Sequence, residues 1–261
     1  MKPEKSEKLL ALFKGDKIPP ADDFKELVVS LDNHQLLAKV FLLEGTPFVF
    51  KNSPMKYTVF REQVGDQFGI GSQDVCIVGS AKLGFSPSPT KYGQPFAETS
   101  DVDVVVVSFE LFDRGSRELF AYLNSFGPQI HEVRAFVDSN AREKPKGTPP
   151  VVDLRQWKTV KDAVRNYTYQ NLNPALLPSE HPLRRDIFEK ISSTSGIFCA
   201  LEPQVFVSKI RARIFRNWKA AEDYYTNTLR ELKRVLKDAA PAEHEDEDDL
   251  EEEKTPVAVK K

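Results

Sequence analysis

Two aspartates one residue apart, Asp101 and Asp103, stand at the head of the apolar run Val102-Asp-Val-Val-Val-Val107. On an extended strand, residues i and i+2 face the same side, so the two carboxylates point together. An acid inside so apolar a run is buried or nearly so, and a buried carboxylate needs a metal or another partner. Upstream, Gly79-Ser80 follows directly on a second apolar run, Val75-Cys-Ile-Val78, and Lys82 comes shortly after. Glycine and serine just past a strand let the backbone turn sharply and bring amide donors close to a phosphate. The Ser80 hydroxyl and the Lys82 ammonium add further contacts to it. Two carboxylates beside a phosphate cradle suit Mg²⁺ (or Mn²⁺) carried by a nucleotide, because a hard cation takes few carboxylates and completes its shell with phosphate oxygens. Two such ions stabilise the attacking and leaving oxygens of an in-line displacement.

Taken in order, Gly79, Ser80, Gly84, Asp101 and Asp103 resemble the hallmark of the DNA polymerase β-like nucleotidyltransferase superfamily: Gly-Ser after the first strand, a further small residue, and Asp-x-Asp at the second strand. The resemblance covers residues 74–112 and thins toward 154. It implies an α+β fold, a small mixed sheet flanked by helices and followed by a helical C-terminal region. It also implies an enzyme that moves a nucleoside monophosphate from an NTP to a hydroxyl of RNA, protein or another nucleotide. The superfamily includes the bacterial cyclic-oligonucleotide synthases of phage defence, a branch the resemblance leaves open. A third carboxylate, the general base, is implied too. Asp153, in Pro149-Pro-Val-Val-Asp-Leu154, has the right local form, and Asp138, in Val133-Arg-Ala-Phe-Val-Asp138, is the alternative. Equally, Asp153 caps a helix and no third acid exists, which leaves a non-catalytic nucleotide-sensing or nucleic-acid-binding module. The chain departs from the pattern in the long interval between Ser80 and Asp101. Phe85 to Phe96 reads as an insertion, in which Lys91, Tyr92 and Phe96 either line the nucleotide site or belong to a packed surface hairpin.

The elements that must position these groups follow from periodicity. Phe24, Leu27, Val28, Leu31 and Leu36-Leu37 recur at helical spacing after Pro19-Pro20, so residues 1–53 read as an N-terminal helical arm. Tyr57, Phe60, Val64 and Phe68 predict a helix over 55–70 that Gly69 and Gly71 stop. Residues 74–78 and 102–107 are strands, the second apolar almost without alternation and therefore central in a sheet covered on both faces. A helix is expected over 109–126, and the proline-rich stretch 142–150 is a connection. The clearest helix spans 208–236, where Ile210, Ile214, Trp218, Ala221, Tyr225, Leu229, Leu232 and Leu236 form one apolar stripe. The expected division is thus an arm over 1–53, a nucleotidyltransferase-like core over 54–154, a basic helical domain over 155–237 and an acidic tail over 238–261.

Charge supports a polyanionic ligand despite a formal net charge of −2. Nine acids fall within 243–253, a run that repels itself and cannot fold alone, and the rest of the chain is basic. Between 155 and 237, 16 Lys and Arg face 8 Asp and Glu. A surplus of this kind holds nucleic-acid phosphate with salt-dependent affinity, or is simply a solvated surface. By the resemblance, the helical region closes over the nucleotide, and Arg211 and Arg213 are its candidates for contacting the triphosphate. Trp157, Tyr167, Tyr169, Trp218, Tyr224 and Tyr225 stack on bases or, at helical spacing, belong to the core. The acidic tail is a solubility device, a contact for a basic protein partner or an internal mimic of nucleic acid. No run reaches the roughly 18 apolar residues of a membrane span, and Leu9 to Phe13 is too short for a signal-peptide core. Cys76 and Cys199 read as small core residues, and the four histidines have no metal-ligand spacing, so a reducing cytoplasm is expected.

Overall fold

The computed structural model describes residues 18–124, 154–177, 181–205 and 209–238. It is a mixed α+β structure, a four-stranded sheet with helices on both faces. Strand β1 (Val75–Val78) runs antiparallel to β2 (Val102–Val107), and β2 runs parallel to β4 (Ile210–Phe215). The two-residue β3 (Asn171–Leu172) closes the far edge antiparallel to β4, giving the order β1-β2-β4-β3. In register, Val78 lies opposite Asp103, and Asp103 lies beside Arg211.

Alternation along the strands assigns the two faces. Val75, Ile77, Val102, Val104, Val106, Ile210 and Ile214 face the main core. There they meet α3 (Pro54–Phe68) through Phe60 and Val64, α5 (Phe109–Asn124) through Leu111 and Phe112, and α7 (Pro182–Leu201) through Ile187 and Phe198. Helix α6 (Leu154–Thr168) contributes Ala163 to this layer. Cys76, Val78, Val105, Val107 and Phe215 face the other way, onto Ala220 and Ala221 of α8 (Trp218–Asp238). By the same alternation, Asp103, Arg211 and Arg213 belong to this second face, under α8.

The segment expected as a single long helix is a strand followed by a helix. Ile210 and Ile214 are four apart, which suits one helix face and also one strand face, so their spacing alone does not choose. The intervening Arg211, Ala212 and Arg213 make the run alternate basic and apolar, the period of a strand with one wet face. Arg216 and Asn217 break it, and the Asn217 side chain accepts a hydrogen bond from the Ala220 amide at 2.8 Å, opening α8. Because β4 sits between β2 and β3, the region after 155 completes the core sheet instead of forming a separate helical domain.

The N-terminal segment is likewise built into the body. Helix α1 (Ala21–Ser30), the short α2 (His34–Leu37) and the π-helical turn Ala38–Leu43 pack Phe24, Leu37 and Leu42 against Leu83, Phe85 and, on α8, Leu229 and Leu232. The expected helix after residue 54 ends at Gly69, whose left-handed conformation (φ 69°, ψ 38°) suits glycine. Cys76 is buried as expected, whereas Cys199 is exposed, because its place on α7 turns it away from the sheet. Asp138, Asp153 and the tail from 239 onward lie outside the described residues. No helix among those described is long and apolar enough to cross a membrane.

Candidate functional site

A cavity of about 370 Å³ opens on the α8 face of the sheet, between the ends of β1, β2 and β4. Its walls include Gly79, Ser80, Asp103, Arg211 and Arg213, so residues far apart in the chain meet at one place. Gly79 leaves β1 with φ 69° and ψ −145°, a conformation open essentially to glycine alone. A Cβ at this position would lie 3.0 Å from Oδ2 of Asp103. The backbone therefore passes directly over the carboxylate because no side chain intervenes. From there the chain turns into α4 (Ser80–Leu83), which ends at Gly84, also left-handed at φ 83°.

Asp103 is partly buried at the cavity wall, and burial pushes its carboxyl above the usual range. Arg211 and Arg213 oppose that shift, while Asp101 reinforces it. Asp101, just before β2, holds an ion pair with Arg211, its Oδ2 2.6 Å from Nη2. Arg213 is more firmly fixed. Its Nη1 donates to Oδ1 of Asn171 at 2.9 Å, and the guanidinium lies 5.0 Å from the Tyr224 ring centroid, a cation–π distance. The cavity thus presents a carboxylate that favours a cation beside two arginines that favour an anion.

The donor set fits Mg²⁺ or Mn²⁺ as far as the described residues go. Asp103 at the cavity wall and Asp101, which is paired to Arg211, carry carboxylate oxygens two residues apart, and the bare backbone at Gly79 leaves room over Asp103 that a Cβ would fill. Among the described residues no cluster of three or more His, Cys, Asp or Glu forms a metal cage, so a cation held here would need ligand oxygens and water for the rest of its shell.

Lys82 is not at this cavity. Its side chain is buried, 3% exposed, and runs from α4 toward the N-terminal layer, where Nζ donates to the backbone carbonyls of Glu44 and, at 2.8 Å, Gly45. Burial lowers its pKa to about 8, against the opposing influence of Cys76 and Glu44. Its role in the structure is to tie the turn after Gly79 to residues 44–45.

Most of the remaining cavity residues carry no signal in the sequence; Tyr224 and Tyr225, candidates there for stacking on bases or for the core, are the exceptions. Ser86, Pro87, Ser88 and Pro89 of the inserted stretch form one wall, and Leu42, Asn173, Tyr224, Tyr225 and Thr228 complete it. Of the insertion's residues singled out earlier, Tyr92 packs against Phe85 and Phe96 against the main core, while Lys91 is exposed. Tyr224 and Tyr225 belong both to the core beneath α8 and to the cavity. Trp218 is structural, its Nε1 donating to Oδ1 of Asp74 at 3.0 Å. The alternation Ile-Arg-Ala-Arg-Ile was the one signal that pointed to Arg211 and Arg213 sharing a strand face.

No family model, no curated protein and no solved structure matches the chain.

Proposed function

We propose that the protein is a Mg²⁺-dependent nucleotidyltransferase that moves a nucleoside monophosphate from an NTP to a hydroxyl of RNA, protein or another nucleotide. The observation that carries this reading is the meeting of Gly79, Ser80, Asp103, Arg211 and Arg213 around one cavity. In the reaction, the acceptor oxygen forms a bond to the α-phosphorus, the bond to the bridging oxygen of pyrophosphate breaks, and the acceptor proton passes to a base. Asp101 and Asp103 would hold the cation, which neutralises charge on the phosphate oxygens. Gly79 gives the triphosphate close access to the backbone, Ser80 adds its hydroxyl, and the two arginines neutralise the phosphates. In this reading Asp153 is the base.

A second reading, a nucleotide-binding module without transfer, is favoured by one observation. Arg211 stands beside Asp103 in the sheet and holds Asp101 in an ion pair, so a cation is met there by a competing guanidinium. Incubating the protein with each labelled NTP, in Mg²⁺ or Mn²⁺ and with or without RNA, separates the two. Label transfer or a new nucleotide product that disappears in Asp103→Ala supports the enzyme. NTP binding with no product under any condition supports the module. Failure to bind any NTP rejects both.

A further inference from the structure

The cavity is chemically divided. Its charged groups, Asp103, Arg211 and Arg213, all project from the sheet, whereas the wall built by Ser86-Pro87-Ser88-Pro89 carries no charge. We infer that this segment is the base-selecting wall of the site and that it favours purine nucleoside triphosphates. The inference rests on the nucleotide reading proposed above and adds to it which end of the nucleotide lies where, and which bases are preferred.

The wall is anchored on both sides. Phe85 forms an isolated bridge with Pro95, the Ser86 amide donates to the Gln94 carbonyl at 2.8 Å, and the Gly93 amide donates to the Ser86 carbonyl at 3.1 Å. The Phe96 amide returns to the Gly84 carbonyl at 2.8 Å. Farther out, the Tyr92 hydroxyl donates to the Ala21 carbonyl at 2.5 Å, and the Phe85 ring packs edge-on to both Phe24 and Tyr92. A segment tied this way to the turn after Gly79 and to helix α1 offers a preformed surface, which lowers the ordering cost of binding.

What that surface offers is shape more than hydrogen bonds. Ser86 Oγ accepts from the Ser88 amide at 3.3 Å, and the Ser88 and Thr90 hydroxyls lie 3.2 Å apart, so part of the hydrogen-bonding capacity of both serines is used within the loop. Across the cavity, the Thr228 hydroxyl donates to the Tyr224 carbonyl at 3.0 Å. Two proline rings and an aromatic pair remain as the contact area. Phosphates belong with the arginines, which leaves the nucleoside to the neutral wall. An apolar wall rewards buried area, so the larger purine ring system binds about fivefold more tightly than a pyrimidine.

Calorimetric titration of the full chain with ATP, GTP, CTP, UTP and inorganic tripolyphosphate in Mg²⁺ tests this. The wild-type protein is expected to bind both purine nucleotides about fivefold more tightly than both pyrimidine nucleotides. In the double variant Pro87→Ala, Pro89→Ala that ratio should fall toward one, while tripolyphosphate, having no base, loses no comparable affinity. Tyr92→Phe, which removes the brace from outside the cavity, should lower the ratio partway and guards against a folding defect in the proline variant. A wild-type ratio near one, or a ratio untouched by both variants, overturns the inference and leaves the nucleotide reading standing. Failure of tripolyphosphate and of all four nucleotides to bind overturns both.

Discussion

Replacing Gly79 with alanine tests the local geometry on which the site depends. At φ 69° and ψ −145°, an L-residue is strained by about 1–3 kcal/mol. The new Cβ also meets Oδ2 of Asp103 at 3.0 Å, a contact that forces the carboxylate or the turn to shift and adds about 1 kcal/mol. Gly79→Ala should therefore destabilise the protein by about 2–4 kcal/mol, with a Tm roughly 5–10 °C lower for a chain of this size. The two contributions separate in a double-mutant cycle with Asp103→Ala. Backbone strain persists without the carboxylate, whereas the contact disappears, so the glycine substitution should be about 1 kcal/mol milder in the Asp103→Ala background. Urea unfolding of the four proteins measures this. A loss below about 0.5 kcal/mol for Gly79→Ala would refute the strained turn, and equal losses in both backgrounds would refute the close approach to Asp103.

Other consequences follow from the buried groups. Asp103 titrates above its unfolded value, so its contribution to stability is present below about pH 4 and is lost as pH rises through the elevated pKa. Asp103→Asn should flatten that fall and be more stable than the wild type at neutral pH, as pH-dependent denaturant midpoints would report. Lys82 behaves in the opposite way. With its folded pKa lowered to about 8, the wild type should gain stability relative to Lys82→Met as pH rises from there to about 10.4. Difference curves for the pair that stay flat over that window would contradict the buried ammonium. Asn171→Ala removes the acceptor that anchors Arg213, and NTP affinity measured by titration should drop roughly fivefold, about 1 kcal/mol.

The two strands that bracket the site were legible because Val75–Val78 and Val102–Val107 are buried almost throughout, which yields continuous apolar runs. Asp103 stood out against such a run, and Gly79-Ser80 marked the turn. Strand β4 was hidden by arithmetic: Ile210 and Ile214 satisfy a helix stripe that continues through Trp218, and only the Arg-Ala-Arg alternation and the capping Asn217 mark the change. A helix over 208–236 would carry the two arginines on a helix face and leave the sheet divided between two domains, whereas both lie on β4 of one sheet. Lys82 lies so close to Gly79 that spacing allows its long side chain to reach either the phosphate side or the interior, and packing against residues 44–45 decides it. The Ser-Pro stretch reads locally as loop. Its function as a cavity wall depends on Tyr92 reaching Ala21, a contact across 71 positions that no local pattern carries.

The most direct test of the central claim is a crystal structure of the protein grown with Mn²⁺ and a non-hydrolysable NTP analogue, with the anomalous signal used to locate the metal. A manganese peak bound by Asp101 and Asp103 is expected, with triphosphate over Gly79 and Ser80 and Arg211 released from Asp101 to face the phosphates. A nucleotide bound elsewhere, or a cavity in which Arg211 keeps its ion pair with Asp101 and no manganese appears, would contradict it.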